Sequence, residues 1–258
     1  MLTASSFAKS STFVDRPAGA ASVRVTAHLV SGIASGVGWG PTLDGLLAGR
    51  LWAQRKQHRP EGAPRGLDPD HEPEDMPLPL ARVHYNGGWY WAATCGWPVE
   101  IDSTPEVRYW AGRPDQRHLA ELCDRPPKDI SETTGRWRSR VMPTTVLMCP
   151  RMCWHAVGVA DAIAELLEPV RAIGKRRGTG EGEVLRWEVA EVDVDELDAA
   201  HLDATGRLAR PTPVAVLGEP PDVACGPLAT YGIRPPTMHL SRRETVRLPA
   251  VTATEVGV

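Results

Sequence analysis

The sequence predicts an α+β fold made of two β-α-β units, separated by an insertion and followed by a C-terminal extension. Three observations predict it. Ser22 to Ser31 alternates Val23, Val25, Ala27 and Leu29 with polar partners and leads into a helical pattern from Pro41 to Trp52. Val157 to Val170 repeats apolar residues at helical spacing between two strand-like stretches. Between the units, Ser103 to Arg140 breaks the pattern with charges and turn formers. This order is that of a ferredoxin-like (RRM-like) βαββαβ core, with two helices on one face of an antiparallel sheet.

Residues 1–21, rich in Ser, Ala and Gly, read as a flexible N-terminus. After the first strand and a Gly-rich turn from Gly32 to Gly40, Pro41 suits a first helical turn, and Leu43, Leu46, Leu47, Leu51 and Trp52 make an apolar face. Arg59 to Pro79, crowded with Pro, Asp, Glu and Gly, is expected to be an exposed loop. Asn86-Gly87-Gly88 between Val83-His84-Tyr85 and Trp89-Tyr90-Trp91 predicts a hairpin. Val141 to Val157 regains strand character. The second helix follows, with Val159, Ile163, Leu166, Leu167 and Val170 on one face, and Val184 to Val192 alternates as a last strand. The domain is drawn at 22–193, with an insertion at about 97–143, and residues 194–258 form an extension packed on the core. The second face of the sheet is expected to be free, yet the aromatic stacking sequence of RNA-recognition modules is absent, so an RNA-binding device would lie elsewhere.

At 42% apolar the chain can bury one substantial core. Its net charge of −3 hides an asymmetry: Arg171 to Arg177 holds four basic residues and no acid, while Glu188 to Asp203 holds seven acids and no Lys or Arg. A polyanion could therefore bind locally. No run of about 18 apolar residues spans a membrane, Met1 to Ala21 lacks the apolar core of a signal peptide, and five irregularly spaced cysteines read as reduced thiols. These features predict a cytoplasmic protein. Cys149, Cys153 and His155 would share a strand face, but a second ligand pair is missing, so neither a metal nor a cofactor is expected.

The stretch Ile173-Gly174-Lys175-Arg176-Arg177-Gly178-Thr179-Gly180-Glu181-Gly182-Glu183-Val184 sets four glycines and three cations between the second helix and the last strand. Glycines let backbone N–H groups line a concavity and approach an anion, while Lys and Arg neutralise it. The spacing is neither the dinucleotide fingerprint nor a P-loop.

These residues resemble the repeat-associated mysterious proteins (RAMPs) of CRISPR systems. Ile173-Gly174-Lys175-Arg176-Arg177 followed by Gly180-x-Gly182-x-Val184 matches their hallmark loop. The phrase Leu43-Asp44-Gly45-Leu46-Leu47-Ala48 and the tail from Arg234 to Arg243 are similar to the subgroup found in type IV effector complexes. The loop departs from the family at Glu181, where many members carry an aromatic or small residue, and Glu183 adds a second acid. The resemblance implies a non-catalytic subunit that binds and caps the 5′ handle of a CRISPR RNA (crRNA). It would dock filament-forming backbone RAMP subunits and a large subunit, and meet target nucleic acid only indirectly. In that role Arg171, Lys175, Arg176 and Arg177 hold the RNA backbone, and Gly174, Gly178, Gly180 and Gly182 let the main chain approach it. A thumb drawn from the insertion supplies Arg136, Trp137, Arg138 and Arg140, from a stretch with five Lys or Arg against two acids.

Two alternatives remain. A metal-independent crRNA-processing endoribonuclease would use His58, or His84 beside Tyr85, as acid or base. A protein-interaction module would dock through Val251 to Val258 and the basic tail. Arg242 and Arg243 could add RNA contacts or pair with the acidic run from Glu188 to Asp203.

Overall fold

The computed structural model describes residues 12–34, 38–58, 68–101, 105–112, 138–218 and 220–250, with the single positions 115, 121, 125, 131, 133 and 134. Its strands are β1 (Phe13–Asp15), β2 (Ala21–Leu29), β3 (Ile33–Ala34), β4 (Arg82–Tyr85), β5 (Gly88–Trp91), β6 (Trp97–Val99), β7 (Glu106–Gly112), β8 (Arg140–Leu147), β9 (Arg151–Gly158), β10 (Val184–Glu191), β11 (Thr212–Pro213), β12 (Leu228–Gly232) and β13 (Arg243–Arg247). Its helices are α1 (Leu43–Gln57), α2 (Ala160–Leu167), α3 (Glu196–His201) and α4 (Val214–Leu217). The fold is α+β with antiparallel pairing.

The central sheet has the order β10-β2-β9-β6. The chain from β2 to β6 passes through α1 and skips the place β9 later takes, and the chain from β9 to β10 passes through α2 and skips β2. Strand periodicity explains the packing. Val23, Val25 and Ala27 of β2 share a face and sit opposite Ala156, Trp154 and Met152 of β9. Leu43 and Leu47 of α1 and Ile163 and Leu167 of α2 close over that face to make the main core. Thr42, not Pro41, begins α1: its Oγ1 accepts the Gly45 N–H at 3.1 Å. Pro41 stays outside the helix, where its carbonyl accepts the Trp154 indole N–H at 2.8 Å.

Other expectations needed correction. The hairpin forms at Asn86–Gly87, but β4 and β5 lie with β1 in a separate sheet of order β1-β4-β5, and the outer strand of the central sheet is the short β6. Local turn chemistry placed the hairpin but carried no information about which strand it would lie beside. Phe13–Asp15, expected to be flexible, pairs with β4. Strand character between Val141 and Val157 divides into β8 and β9 around Met148–Pro150. The insertion therefore starts after Val99 and joins a sheet of order β3-β8-β7.

The second face of the central sheet is not free. Val157 packs with Ala199 and Ala200 of α3 in a second core shared with β4 and β5, and the His155 Nδ1–H reaches the Leu202 carbonyl at 3.1 Å. Burial lowers the pKa of His155, which keeps the ring neutral.

Arg242 is buried and pairs not with the acidic run but with Glu72 and Asp75, each at 3.0 Å. Arg234 contacts the same two acids. They hold the segment after α1, of which 59–67 lies outside the described residues, so that Leu78 and Leu80 enter the core. Arg243 donates to the Thr230 carbonyl at 2.9 Å. A buried Arg210 joins α1 to the extension: it donates to the carbonyls of Trp91, Ala93 and Ile233 and lies 4.0 Å from Asp44. Burial raises the pKa of Asp44, and Arg210 opposes that rise.

Candidate nucleic-acid interface

The chain leaves α2 and reaches β10 through the glycine-rich loop, which is folded against β3. The Lys175 N–H donates to the Ala34 carbonyl at 2.8 Å, the Gly182 N–H to Gly32 at 3.0 Å, and the Ile173 N–H to Gly182 at 2.9 Å. Several amides that the sequence offered to an anion are thus bonded to protein carbonyls. The glycines divide accordingly. A Cβ at Gly182 would lie 2.0 Å from the Ile173 carbonyl oxygen, and one at Gly174 would lie 2.7 Å from the Ala34 oxygen. Both have positive φ, +68° and +79°, a conformation that favours glycine. Gly178 and Gly180 meet open space. The first pair lets the loop pack on the protein; only the second pair lies bare for a ligand.

The β7–β8 hairpin packs on this loop. Its register opposes Arg108 to Thr144, Trp110 to Met142 and Gly112 to Arg140, so these pairs share one face. From that face the Arg108 guanidinium donates to both oxygens of the buried Glu181 carboxylate, at 2.9 and 3.1 Å. The same guanidinium also contacts Glu106 at 3.3 Å, so it is shared by two carboxylates, and Glu181 first and then Glu106 raise its already high pKa. The Arg176 guanidinium sits 4.6 Å from the Trp110 ring centroid and reaches the Met142 sulfur at 3.3 Å.

The expected cations are placed as follows. Lys175 and Arg177 are exposed on the loop, and Arg140 is exposed at the start of β8, with Arg138 just before it. None of the four has an ion-pair partner among the described residues. Arg171 lies at the far end of the loop and contacts Glu168 at 3.4 Å on the open surface, a pair worth little in water. Arg136 and Trp137 lie outside the described residues. The aromatic ring that the structure does bring to the loop is Trp110, which the sequence missed. The alternation Val107-Arg108-Tyr109-Trp110 was its signal, hidden in a stretch read as patternless.

The nuclease candidates are not assembled. His58 caps the end of α1. His84 stacks on Phe13 with centroids 4.9 Å apart, while the Tyr85 hydroxyl donates to Glu244 at 2.6 Å. Adjacent strand residues face opposite sides. Burial and Glu244 push the Tyr85 pKa far above its ordinary value of 10.0. The Cys149-Cys153-His155 constellation is likewise divided, because Cys149 enters the main core while Cys153 contacts Thr26 at 3.5 Å. Burial pushes the Cys149 thiol up to about 11. Among the described residues no three His, Cys, Asp or Glu side chains gather to hold a metal.

No protein-family model matches the sequence, and no curated protein matches it. Among the described residues no helix is long and apolar enough to cross a membrane.

Proposed function

We propose that this chain is a non-catalytic RNA-binding subunit of a type IV CRISPR ribonucleoprotein in the cytoplasm, a ferredoxin-like RAMP that caps the 5′ handle of the guide RNA. The single observation that carries the RNA-binding part is the meeting of the glycine loop and the insertion hairpin: Arg108 on Glu181 and Arg176 on Trp110 join them, and Lys175, Arg177, Arg138 and Arg140 are exposed on the two segments. Two chain segments far apart in sequence thus form one cationic surface that includes an aromatic ring. Such a surface suits single-stranded RNA. The strand order β10-β2-β9-β6 with helical crossovers after β2 and β9 supports the ferredoxin-like assignment. The resemblance of the loop supports the narrower CRISPR assignment and its partners, the backbone and large subunits.

The mechanism asked of the residues is binding without bond-breaking. Lys175, Arg176, Arg177 and Arg140 neutralise phosphates, Gly178 and Gly180 leave room for the strand, and the ion pair of the buried Glu181 with Arg108 weakens the repulsion that carboxylate would exert. With one phosphate on each of these four cations, log affinity falls against log salt with a slope of roughly −3.

The test is RNA retention by the assembled complex and gel retardation by the full chain. Changing Lys175, Arg176 and Arg177 together to Glu abolishes both while the melting temperature holds. Unchanged RNA recovery from that triple variant defeats the assignment. Cleavage of labelled repeat RNA, lost in His58→Ala or His84→Ala, would replace it with the nuclease alternative.

A further inference from the structure

The loop and the hairpin meet through a contact whose geometry goes beyond charge neutralisation. Arg176 is a non-glycine residue held in the left-handed region, at φ +59° and ψ +29°. A side chain rarely adopts this conformation unless its surroundings impose it. Here they do: the Lys175 N–H is bonded to Ala34, and both the N–H and the hydroxyl of Thr179 are bonded to the Arg176 carbonyl, at 2.9 and 2.8 Å. The conformation carries the Arg176 guanidinium onto Trp110.

Trp110 does not serve either hydrophobic core and remains 37% exposed. The strand beside it is shaped for the ring. A Cβ on Gly112 would come within 2.4 Å of the indole, so only a glycine there lets the ring lie where it does. Arg140 stands opposite Gly112 in the register, and Lys175 and Arg177 flank Arg176 in sequence. A flat π-system, a guanidinium over it at 4.6 Å from the centroid and exposed cations flanking them in sequence and register are the components that hold an unpaired nucleotide: flat groups for the base, point charges for the phosphates.

We propose that Trp110 and Arg176 together form a stacking platform for one unpaired base, with the flanking phosphates held by Lys175, Arg177 and Arg140. This inference rests on the RNA-binding proposal and names what that surface recognises, a single-stranded nucleotide rather than a duplex or a bare polyanion. A base inside a helix is already covered on both faces and cannot reach the platform. Stacking also reads no base edge, so the platform accepts any base.

Fluorescence anisotropy with the full chain tests it, using a single-stranded RNA of about 12 nucleotides, competed by the same RNA as a duplex or by inorganic polyphosphate. The informative variants are Trp110→Leu, Trp110→Phe and Arg176→Lys; the last keeps the charge but loses the plane. Trp110→Leu and Arg176→Lys are expected to weaken single-stranded RNA binding about tenfold, within the range of base–aromatic stacking. They leave competition by polyphosphate and the slope against log salt unchanged, while Trp110→Phe keeps most of the affinity. Melting temperatures confirm that the variants fold, and Arg176→Lys carries the test should Trp110→Leu fail to. Wild-type affinity in both Trp110→Leu and Arg176→Lys, alongside loss of binding in Lys175→Glu with Arg177→Glu, overturns the platform and leaves RNA binding standing. Equal losses for RNA and polyphosphate also overturn it. A wild-type chain that binds neither ligand removes both proposals.

Discussion

Alanine at Gly182 is the sharpest test of how the loop is built. The new methyl would sit 2.0 Å from the Ile173 carbonyl oxygen, at a φ of +68°. The left-handed conformation costs roughly 1 kcal/mol for any residue with a Cβ. The overlap cannot be relieved by a side chain moving aside, because its partner is backbone. The loop must shift, straining the hydrogen bonds from Ile173 to Gly182 and from Gly182 to Gly32, each worth about 1 kcal/mol. Together these put Gly182→Ala at about 3 kcal/mol. Gly180 has a φ of +89° but open space around it, so Gly180→Ala costs only the conformational term, about 1 kcal/mol. Gly178 has open space and no positive φ, and Gly178→Ala is close to neutral, within about 0.5 kcal/mol. In a chain of this size 1 kcal/mol moves Tm by about 2–4 °C. Calorimetric melting of the three variants should therefore show losses graded in the order 182, 180, 178, with the first roughly three times the second. Three equal losses, or a larger loss at Gly178 than at Gly182, would refute the claim that the loop is packed on β3 through its own glycines.

Four further outcomes follow from the same contacts. Trp154→Ala empties a fully buried site in the main core and should cost about 3–5 kcal/mol; a urea midpoint within error of wild type would contradict the core described above. Asp44→Ala leaves Arg210 buried without its carboxylate and should cost about 3 kcal/mol, whereas a loss below about 1 kcal/mol would mean that the three carbonyls alone satisfy Arg210. His201 is buried, with its Nδ1–H donated to Leu197 and its Nε2 accepting the Tyr90 hydroxyl, both at 2.6 Å, and burial pushes its pKa down to about 3. The unfolded histidine takes a proton near pH 6.5 while the folded one refuses it until about pH 3, so its contribution is flat above neutrality. Below that, stability falls with falling pH by up to about 1.4 kcal/mol per unit, and His201→Gln should reduce this acid slope in urea melts; an unchanged slope assigns it to other groups. Gly112→Ala pushes the Trp110 ring off its place and should lower single-stranded RNA affinity more than it lowers Tm, which parallel titration and melting would check.

Much of the element pattern was written in local spacing. The alternation of Val23, Val25, Ala27 and Leu29 is a statement about one face, and β2 buries that face against α1 and α2. The turn at Asn86–Gly87 and the strand after Val184 were legible for the same reason. The candidate interface was legible in its loop and not in its partner. Lys175, Arg176 and Arg177 announce themselves as a basic cluster, whereas Trp110 and Arg108 lie in a stretch whose alternation is short and whose neighbours are charged. What Glu181 does could not be read from the loop at all, because its partner lies 73 residues earlier in the chain.

From the sequence alone came the mixture of helices and strands, the buried face of β2 and of α2, and the place where cations and glycines concentrate. These follow from interactions within a few residues, which periodicity and turn chemistry record. The tertiary structure alone decided that β6, not the hairpin, borders the central sheet, that α3 covers its second face, that Arg242 seats on Glu72 and Asp75, and that the insertion hairpin lies on the glycine loop. Spacing specifies which side chains leave water but not which surface receives them. Partners are selected by complementary shape and charge across the whole chain, where the buried Arg242 meets two carboxylates of the segment after α1.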